Sequence, residues 1–412
     1  MSVDGAPYTI IEHGAINKLS EVISKMGLHG RVLVVTDTCI HSMLGDKIKA
    51  QLPGAAFCVL QAGGHADEPA LGAALIDASS CDYLVAVGSG TVNDVARFVG
   101  YMTHKPFVAV ATAPSMDGYA SSVSPLIVKG YKSTYDAAPP IAIIGDLDVL
   151  VNAPAGMIAA GLGDVLGKHV ALMDWRLGEL VTGEVRHIDI VEFMEEAVAA
   201  CERSAGRLKG RDPEAVSLLL EGLIQSGEAI RRNGNSRPAS GAEHHISHFW
   251  EMRQLQRGDH AALHGDKVGV ATLLVLDMYE RFFEKRPALG KDIGNRWIDD
   301  VKKAYGVAAP PILAEHEGVT YDREAIYKSL MAHWDTLRDE AVAVVARREG
   351  IRDMLRDAGG PITPADMGIS AADTLDALRF AQYVRPRFTI QRLASVIGVL
   401  DKLAEDVLSM QN

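Results

Sequence analysis

The sequence predicts an α/β N-terminal domain with a parallel sheet, at residues 1–150, and an all-α C-terminal domain, at residues 151–412. In the first part, continuous apolar runs rich in β-branched residues alternate with helical periodicities, which is typical of parallel strands covered on both faces. From Pro154 onward, apolar residues recur every three or four positions and almost nothing is typical of a strand. A length of 412 residues suits two or three domains.

The elements follow from these patterns in chain order. Strands are predicted at residues 31–36, 55–60, 82–88 and 107–112, with a short strand and turn at 140–150. Helices are predicted at residues 43–52, 68–80 and 91–102 in the first domain. In the second domain they are predicted at 154–180, 187–205, 213–232, 260–284, 324–346 and 371–408. Clusters of Pro and Gly predict loops at residues 233–241 and 308–311.

Composition excludes several classes of protein. Asp and Glu outnumber Lys and Arg by 53 to 41, a net charge of −12, which argues against a nucleic-acid binder and against docking on an anionic membrane. The four cysteines are scattered with no CxxC spacing, so neither a disulfide scaffold nor a zinc ribbon is expected. No signal peptide and no apolar run of membrane-spanning length is visible. A cytoplasmic protein without membrane insertion is expected.

The segment GSGTVND, residues 88–94, predicts a phosphate-binding loop. It follows a strand and opens a helix, and Gly88 and Gly90 can adopt positive φ and let the backbone approach a ligand. The helix start offers free N–H groups and the positive end of the dipole to a pyrophosphate. Asn93 replaces the third glycine of GxGxxG, so a plain strand-to-helix turn stays open as the alternative.

Two further polar groups end predicted strands. Asp37 could accept hydrogen bonds from an adenosine ribose and repel a 2′-phosphate, which would favour NADH over NADPH; the alternative is an ordinary N-cap. The segment TAPSMDGYASS, residues 112–122, puts small polar side chains at a strand's C-terminal end, where ligands of open α/β sheets bind. The alternative is a polar loop without a ligand.

Three segments predict a metal site. In GLGDVLGKH (161–169), Asp164 and Lys168 share a helical face, and a surface ion pair is the alternative. In SGAEHHISHFWEM (240–252), Ser240 and Glu243 have capping-box spacing, which predicts a helix that starts at Ser240. His244 and His248 then fall in the first turns of that helix.

His244 and His248 then lie one turn apart on one helical face, whereas His245 points about 100° away and is expected to be structural. His264 opens a strongly apolar helix, and the alternative there is a capping or core-edge histidine. One aspartate and two histidines suit Zn²⁺, Ni²⁺ or Fe²⁺ and leave coordination positions open for substrate.

Taken in order, the motifs resemble a known family. VAVGSGTVNDVARF, TAPSMDGYASS, GLGDVLGKH, ASGAEHHISH and HGDKVG resemble sn-glycerol-1-phosphate dehydrogenases over roughly residues 10–400, and the bacterial nickel-type branch most of all. The resemblance implies a fold like that of dehydroquinate synthase: a Rossmann-like NAD(P)-binding domain, a helical metal- and substrate-binding domain, and a homodimer. It also implies a role in phospholipid metabolism.

The resemblance implies residue roles as well. The NAD(P)-binding positions implied are Gly90, Thr91, Val92, Asn93, Asp94, Thr112, Ala113, Pro114, Ser115 and Ser121, with Asp37 as a weaker transfer. Asp164, His244 and His264 resemble the ligands of one divalent metal ion, Ni²⁺ or Zn²⁺. Asp117 and His248 resemble catalytic residues that contact the substrate, and Asp164 also resembles a substrate contact.

The implied reaction is the reversible NAD(P)H-linked reduction of dihydroxyacetone phosphate to sn-glycerol 1-phosphate. Three alternatives remain open: a glycerol dehydrogenase, a lyase of the dehydroquinate synthase type, and a non-catalytic relative. The synthase branch uses a glutamate where this chain has Asp164, which counts against the second. Candidates for holding the substrate phosphate are Lys129, Lys132, Lys168 and Lys267.

Overall fold

The computed structural model of the protein describes residues 6–259, 262–292, 294 and 296–411. Two compact units divide the chain: the first comprises Met1–Val165 and Glu196–Gly234, and the second Leu166–Glu195 and Asn235–Asn412. The predicted domain boundary at residue 150 stays a prediction. Residues 1–5, and residues 260 and 261 at the start of a segment predicted as helical, lie outside the described residues.

A six-stranded sheet forms the centre of the first unit, and every pairing in it is parallel. The strand order is β1-β8-β5-β4-β2-β3. The strands are β1 (Tyr8–Glu12), β2 (Val32–Asp37), β3 (Ala56–Leu60), β4 (Tyr83–Gly88), β5 (Phe107–Ala111) and β8 (Ala142–Asp146), which follows a hairpin of β6 (Val123–Val128) and β7 (Tyr131–Asp136). The strands β4, β5 and β8 are buried at every residue, as continuous apolar runs predict. The parallel-sheet prediction is therefore confirmed.

Strands β1, β6 and β7 are absent from the sequence prediction. Strand β1 lies at the edge of the sheet and its residues are mostly half-buried, so it lacks a continuous apolar run. Strands β6 and β7 pair antiparallel in a separate two-stranded sheet, and Pro125 within β6 removes one of the backbone donors of a ladder.

Four helices connect strands of the first unit: α1 (Leu19–Lys25), α2 (Thr38–Gln51), α3 (Glu68–Ala78) and α4 (Gly90–Thr103). Two more helices, α5 (Leu147–Leu150) and α6 (Ala155–Leu166), follow the last strand, β8. Short 3-10 turns lie at Ala15–Lys18 and Asp117–Ala120.

The rest of the described chain contains helices and no strand. The helices are α7 (Lys168–Thr182), α8 (Ile188–Leu208), α9 (Pro213–Asn233), α10 (Ala242–Arg257), α11 (His264–Phe283), α12 (Arg296–Tyr305), α13 (Ala309–Glu315), α14 (Arg323–Ala332), α15 (Trp334–Val345), α16 (Arg348–Ala358), α17 (Ala371–Phe380), α18 (Ile390–Val396) and α19 (Leu400–Ser409). Further 3-10 turns lie at Arg237–Ala239, Gly306–Ala308, Ala365–Met367 and Ala381–Tyr383. The predicted all-α character of this part is confirmed.

Four details of the helical prediction are wrong. The segments 154–180 and 324–346 each contain two helices, with breaks at Gly167 and His333, and 371–408 contains three. The breaks at Gly167 and His333 are one residue long, and the apolar periodicity resumes after them, so it does not indicate the interruption. The break between the first two helices of 371–408 is longer and contains a 3-10 turn, Ala381–Tyr383. The prolines of 308–311 lie in the first turn of α13 instead of a loop, where a missing N–H costs nothing. Within the described residues, no helix combines the length and the apolar character needed to span a membrane.

Candidate active-site residues

Two polar loops lie side by side at the carboxyl edge of the sheet. Gly88, at the end of β4, pairs in register with Ala111, at the end of β5. The backbone N–H of Thr112 donates to the carbonyl of Gly88 at 3.3 Å. The loops that follow these two strands therefore form one surface, as the sequence predicts.

The loop after β4 is held by close packing and not by unusual backbone angles. Neither Gly88 nor Gly90 has a positive φ, so that expectation is wrong. Gly88 is required for another reason: a Cβ there would lie 2.6 Å from Cβ of Val92. At Gly90, the nearest atom to such a Cβ outside α4's own backbone and the neighbouring residues, within the described chain, would be Cγ of Met116, at 3.8 Å, so the start of α4 leaves room for a ligand.

The start of α4 suits a polar ligand group. Its N-cap, Ser89, makes no side-chain capping bond, so the first N–H groups have no side-chain acceptor. The Asn93 side chain is buried, and neither its oxygen nor its nitrogen finds a hydrogen-bond partner among the described residues. A buried amide without partners is costly, and a bound polar group would remove that cost. These features fit the phosphates of a dinucleotide.

Arg97 stabilises this region and is absent from the sequence prediction. Its guanidinium is fully buried, with Nη1 donating to Oδ1 of Asp94 at 3.0 Å and to the carbonyl of Val123 at 2.8 Å. Nη2 donates to the carbonyl of Gly118. The sequence signal for this role is an arginine within the otherwise apolar pattern of the helix predicted at residues 91–102.

Asp37 is the N-cap of α2. Its Oδ1 accepts the backbone N–H groups of Cys39 and Ile40, each at 2.9 Å. This is the capping alternative considered from the sequence. A role as the residue that contacts the adenosine ribose stays a prediction.

The loop after β5 has a buried polar core. Thr112, Ser115 and Ser121 are all buried. The Tyr119 hydroxyl donates to the carbonyl of Ala113 at 2.7 Å, and burial raises the pKa of Tyr119 well above its usual range. This contact fixes the turn on which the next residues sit.

Within the first unit, the structure brings Asp117 and Asp164 together. The backbone N–H of Asp117 donates to Oδ2 of Asp164 at 3.0 Å. The Ser226 hydroxyl, from α9, donates to Oδ2 of Asp117 at 2.9 Å. No motif marks Ser226 in the sequence, because it lies within a long amphipathic helix.

Helix α6 approaches this loop closely. A Cβ at Gly161, one turn before Asp164, would lie 1.8 Å from the carbonyl oxygen of Pro114, so only glycine fits. Asp164 and Lys168 are both fully buried. That burial excludes the alternative of a solvent-exposed ion pair for these two residues.

In the second unit, α10 begins two residues later than predicted. The helix starts at Ala242 with Gly241 as N-cap and no side-chain cap, so the capping box from Ser240 is wrong. Oε1 of Glu243 instead accepts the backbone N–H of Gly241 at 2.8 Å. The carboxylate reaches the N-cap from the second helical position, which leaves Ser240 outside the cap.

Three histidines of the second unit form one cluster. The ring centroids of His244 and His264 are 5.3 Å apart, and His248 lies 6.2 Å from His244 and 5.5 Å from His264. Two imidazoles bound to one tetrahedral ion at about 2.1 Å have centroids roughly 5 Å apart. The His244–His264 pair fits that spacing.

His244 has the partner that a metal-ligating histidine usually has. Its Nδ1 lies 2.6 Å from Oε1 of Glu243, which is fully buried. A carboxylate on the other ring nitrogen orients a ligating imidazole. The sequence indicates a capping-box role for Glu243, from its spacing to Ser240, and contains no signal for this contact.

His245 is separate from the cluster in character. It is buried, and neither ring nitrogen has a hydrogen-bond partner in the described chain. Burial lowers the pKa of His245 well below its usual value, and the charge of Arg387 lowers it further. A neutral interior histidine matches the structural role expected for it.

A buried aspartate joins four helices of the second unit. Oδ1 of Asp174, on α7, accepts from the Tyr279 hydroxyl at 2.7 Å and from the N–H of Ile390 at 2.8 Å. Its Oδ2 accepts the N–H of Ala242, in the first turn of α10, at 2.7 Å. Burial raises the pKa of Asp174 to about 6.

The four candidate lysines have different surroundings. Lys129 is exposed and Lys132 half-buried, on the β6–β7 hairpin. Lys168 and Lys267 are buried in the second unit. Lys267 lies one helical turn after His264, and its Nζ is 3.7 Å from Oε1 of Glu251.

Comparison with known proteins gives a consistent result. The family model described as "Iron-containing alcohol dehydrogenase" matches residues 10–154. Glycerol-1-phosphate dehydrogenase [NAD(P)+] of Halalkalibacterium halodurans is 33% identical over 385 residues, covering 91% of this chain and 89% of the relative. The chain belongs to the glycerol-1-phosphate dehydrogenase family. An archaeal member, from Methanoculleus marisnigri, is 26% identical and covers 97% of this chain and 92% of its own.

Solved structures support the fold of this glycerol-1-phosphate dehydrogenase family member. A probable glycerol dehydrogenase from Sinorhizobium meliloti has a TM-score of 0.65 at 19% identity and covers 98% of this chain and 99% of its own. Glycerol dehydrogenase from Schizosaccharomyces pombe has a TM-score of 0.60 at 18% identity, with 98% and 92% covered. At these identities the likeness concerns the fold alone.

Proposed function

We propose that this protein is an oxidoreductase that reduces dihydroxyacetone phosphate to sn-glycerol 1-phosphate with NAD(P)H, and catalyses the reverse reaction. One observation carries the proposal: relatives from bacteria and archaea that align along most of the chain are named for this activity. The dinucleotide-compatible loop and the histidine cluster agree with it.

The start of α4 holds the dinucleotide phosphates in this proposal. The residues involved are those implied by the family resemblance: Gly90, Thr91, Val92, Asn93 and Asp94, with Thr112, Ala113, Pro114, Ser115 and Ser121 alongside. The free N–H groups at the helix start and the buried Asn93 amide support it. The Thr91 hydroxyl already donates to the carbonyl of Gly64 at 3.1 Å, so Thr91 contributes its backbone.

Asp164, His244 and His264 hold one divalent ion in this proposal. They offer one carboxylate oxygen and two imidazole nitrogens, a donor set that suits Zn²⁺ or Ni²⁺ and leaves positions for substrate. The His244–His264 spacing supports the assignment. When bound, the ion supplies Lewis-acid chemistry at the carbonyl oxygen, and the nicotinamide supplies hydride.

His248 and Asp117 handle the substrate and the proton. His248 lies beside both proposed histidine ligands, and its imidazole can exchange a proton near neutral pH. Asp117 is oriented by the Ser226 hydroxyl and contacts Asp164 through its backbone. Asp117 thereby presents an oriented carboxylate to the substrate hydroxyls.

The substrate phosphate needs a cation in this proposal. Lys267 follows a proposed metal ligand, His264, by one turn within the same helix, α11. Lys168 lies four positions after another proposed ligand, Asp164, but α6 ends at Leu166, so a helix break separates these two residues. Lys267 is therefore our first choice for the phosphate contact.

The test is a comparison of substrates in an NADH-oxidation assay. We expect turnover with dihydroxyacetone phosphate and little with unphosphorylated dihydroxyacetone, and chiral analysis should identify the sn-1 product. Activity with glycerol and none with the phosphorylated substrate would identify a glycerol dehydrogenase. A product formed without net NADH consumption would indicate a lyase.

A cytoplasmic location fits the cysteines, because Cys39, Cys58, Cys81 and Cys201 are all free thiols. The homodimer stays a prediction.

A further inference from the structure

The Glu243 carboxylate contacts both the N-terminus of α10 and a proposed metal ligand, His244. One oxygen, Oε1, accepts the N–H of Gly241 at 2.8 Å and lies 2.6 Å from Nδ1 of His244. The Glu243 side chain has no solvent exposure. Both contacts are made by the same atom, so the acceptor that caps α10 also contacts the imidazole.

This arrangement selects one tautomer of His244. A carboxylate oxygen that accepts from Gly241 also accepts from Nδ1 when that nitrogen carries the proton. A neutral imidazole protonated at Nδ1 has its free lone pair at Nε2. The nitrogen left to bind a metal ion is therefore Nε2.

The turn that bears His244 is held from outside α10. Oδ2 of Asp174 accepts the N–H of Ala242 at 2.7 Å, and the same carboxylate is bonded to Tyr279 and Ile390. Residues from α7, α11 and the start of α18 thus fix the first turn of α10. The Glu243–His244 contact is therefore set by the protein itself, before any ion binds.

We propose that Glu243 is a positioning residue that fixes His244 in its Nδ1–H tautomer and presents Nε2 to a divalent ion. The inference rests on the proposed function, because it takes His244 as a ligand. Glu243 acts only through His244 and touches neither substrate nor cofactor in this account.

Metal titration of the metal-free enzyme tests the effect on affinity. We expect Glu243→Ala to weaken Zn²⁺ and Ni²⁺ binding about 10- to 100-fold. Glu243→Gln keeps an acceptor for Nδ1, so its loss should be smaller. Glu184→Gln is the matched control: it removes a carboxylate of the same unit that is bonded to Arg237 and to no histidine among the described residues. The control should bind metal as the wild type does.

A second measurement determines the tautomer of His244 in the metal-free protein. In ¹⁵N-histidine-labelled, metal-free wild type, NMR should find the His244 proton on Nδ1, and in Glu243→Ala a mixture of tautomers. The His244 signals are assigned by their loss in His244→Gln. Circular dichroism identifies a variant that fails to fold, in which case Glu243→Gln and the wild-type tautomer carry the test.

The outcomes distinguish a failure of the proposed function from a failure of the role proposed for Glu243. Wild-type protein that binds no metal contradicts His244 as a ligand, and thus the proposed function, whatever the tautomer. Wild-type metal binding with the His244 proton on Nε2, or with unchanged affinity in a folded Glu243→Ala variant, overturns the role of Glu243 alone. A Co²⁺-loaded spectrum that changes in Glu243→Ala and not in Glu184→Gln supports it.

Discussion

The buried carboxylate of Asp174 predicts an unusual dependence of stability on pH. Burial raises the pKa of Asp174 from 3.8 to about 6. The charge of Arg237 and the hydrogen bonds that the carboxylate accepts lower the pKa, but they do not offset the effect of burial. The folded state therefore binds the Asp174 proton more tightly than the unfolded state. In consequence, the ionised Asp174 destabilises the folded state above about pH 6, and this destabilisation disappears as the pH falls and the carboxylate is protonated.

The size of the effect follows from the shift. From 3.8 to about 6 is about two pKa units, and at 1.36 kcal/mol per unit this is about 3 kcal/mol. Relative to a variant without the titrating group, the wild type should gain that free energy of unfolding between about pH 7 and pH 4, because protons are taken up on folding across that range. Asp174→Asn removes the titration and leaves an amide nitrogen facing the N–H of Ala242, so the variant should be less stable at low pH.

Urea unfolding followed by tryptophan fluorescence measures this directly. All four tryptophans, at positions 175, 250, 297 and 334, belong to the unit that contains Asp174. Asp373→Asn is the control of opposite sign, because Arg257 lowers the pKa of Asp373; its stabilisation is present at neutral pH and is lost below about pH 4. If the free energies of unfolding of wild type and Asp174→Asn differ by a constant amount from about pH 7 to pH 4, the pKa of Asp174 is not raised in the folded state.

Three further predictions concern the proposed site and the loop after β4. His264→Ala should lose bound metal and turnover together while circular dichroism stays unchanged; full activity in a metal-free variant would end the Lewis-acid proposal. Asp37→Ala should reduce the NADH-to-NADPH ratio of kcat/KM and cost about 1 kcal/mol of stability as a lost N-cap; a lower stability with an unchanged ratio means that Asp37 is only a cap. Gly88→Ala forces a Cβ to 2.6 Å from Cβ of Val92 and should cost about 1–3 kcal/mol; a melting temperature equal to that of the wild type would contradict the packing argument.

Much of the fold could be predicted because its central strands are buried on both faces. The predicted segments 82–88 and 107–112 match β4 and β5 to within a residue at each end, since a buried parallel strand is a continuous apolar run. Edge strand β1 lacks that signal, and the β6–β7 hairpin is half-exposed and contains a proline. For such strands, pairing partners distant in sequence decide the structure.

The candidate site likewise contains some features that the sequence predicts and others that depend on tertiary contacts. The histidines at positions 244, 248 and 264 cluster as their spacing and the start of α11 indicate. The partners that orient site residues could not be predicted, because they depend on tertiary contacts: Ser226 reaches Asp117 from α9, more than a hundred positions away in sequence. Glu243 was visible as a residue next to His244, but its spacing to Ser240 suggested a cap of a different kind.

The metal-dependent reaction is tested most directly by NADH oxidation with dihydroxyacetone phosphate, measured on chelated enzyme and again after Ni²⁺ or Zn²⁺ is added separately. We expect chelation to abolish turnover, at least one of the two ions to restore it, and the product to be sn-glycerol 1-phosphate. Full turnover in the chelated enzyme, or no turnover of this substrate with any added ion, would contradict this expectation.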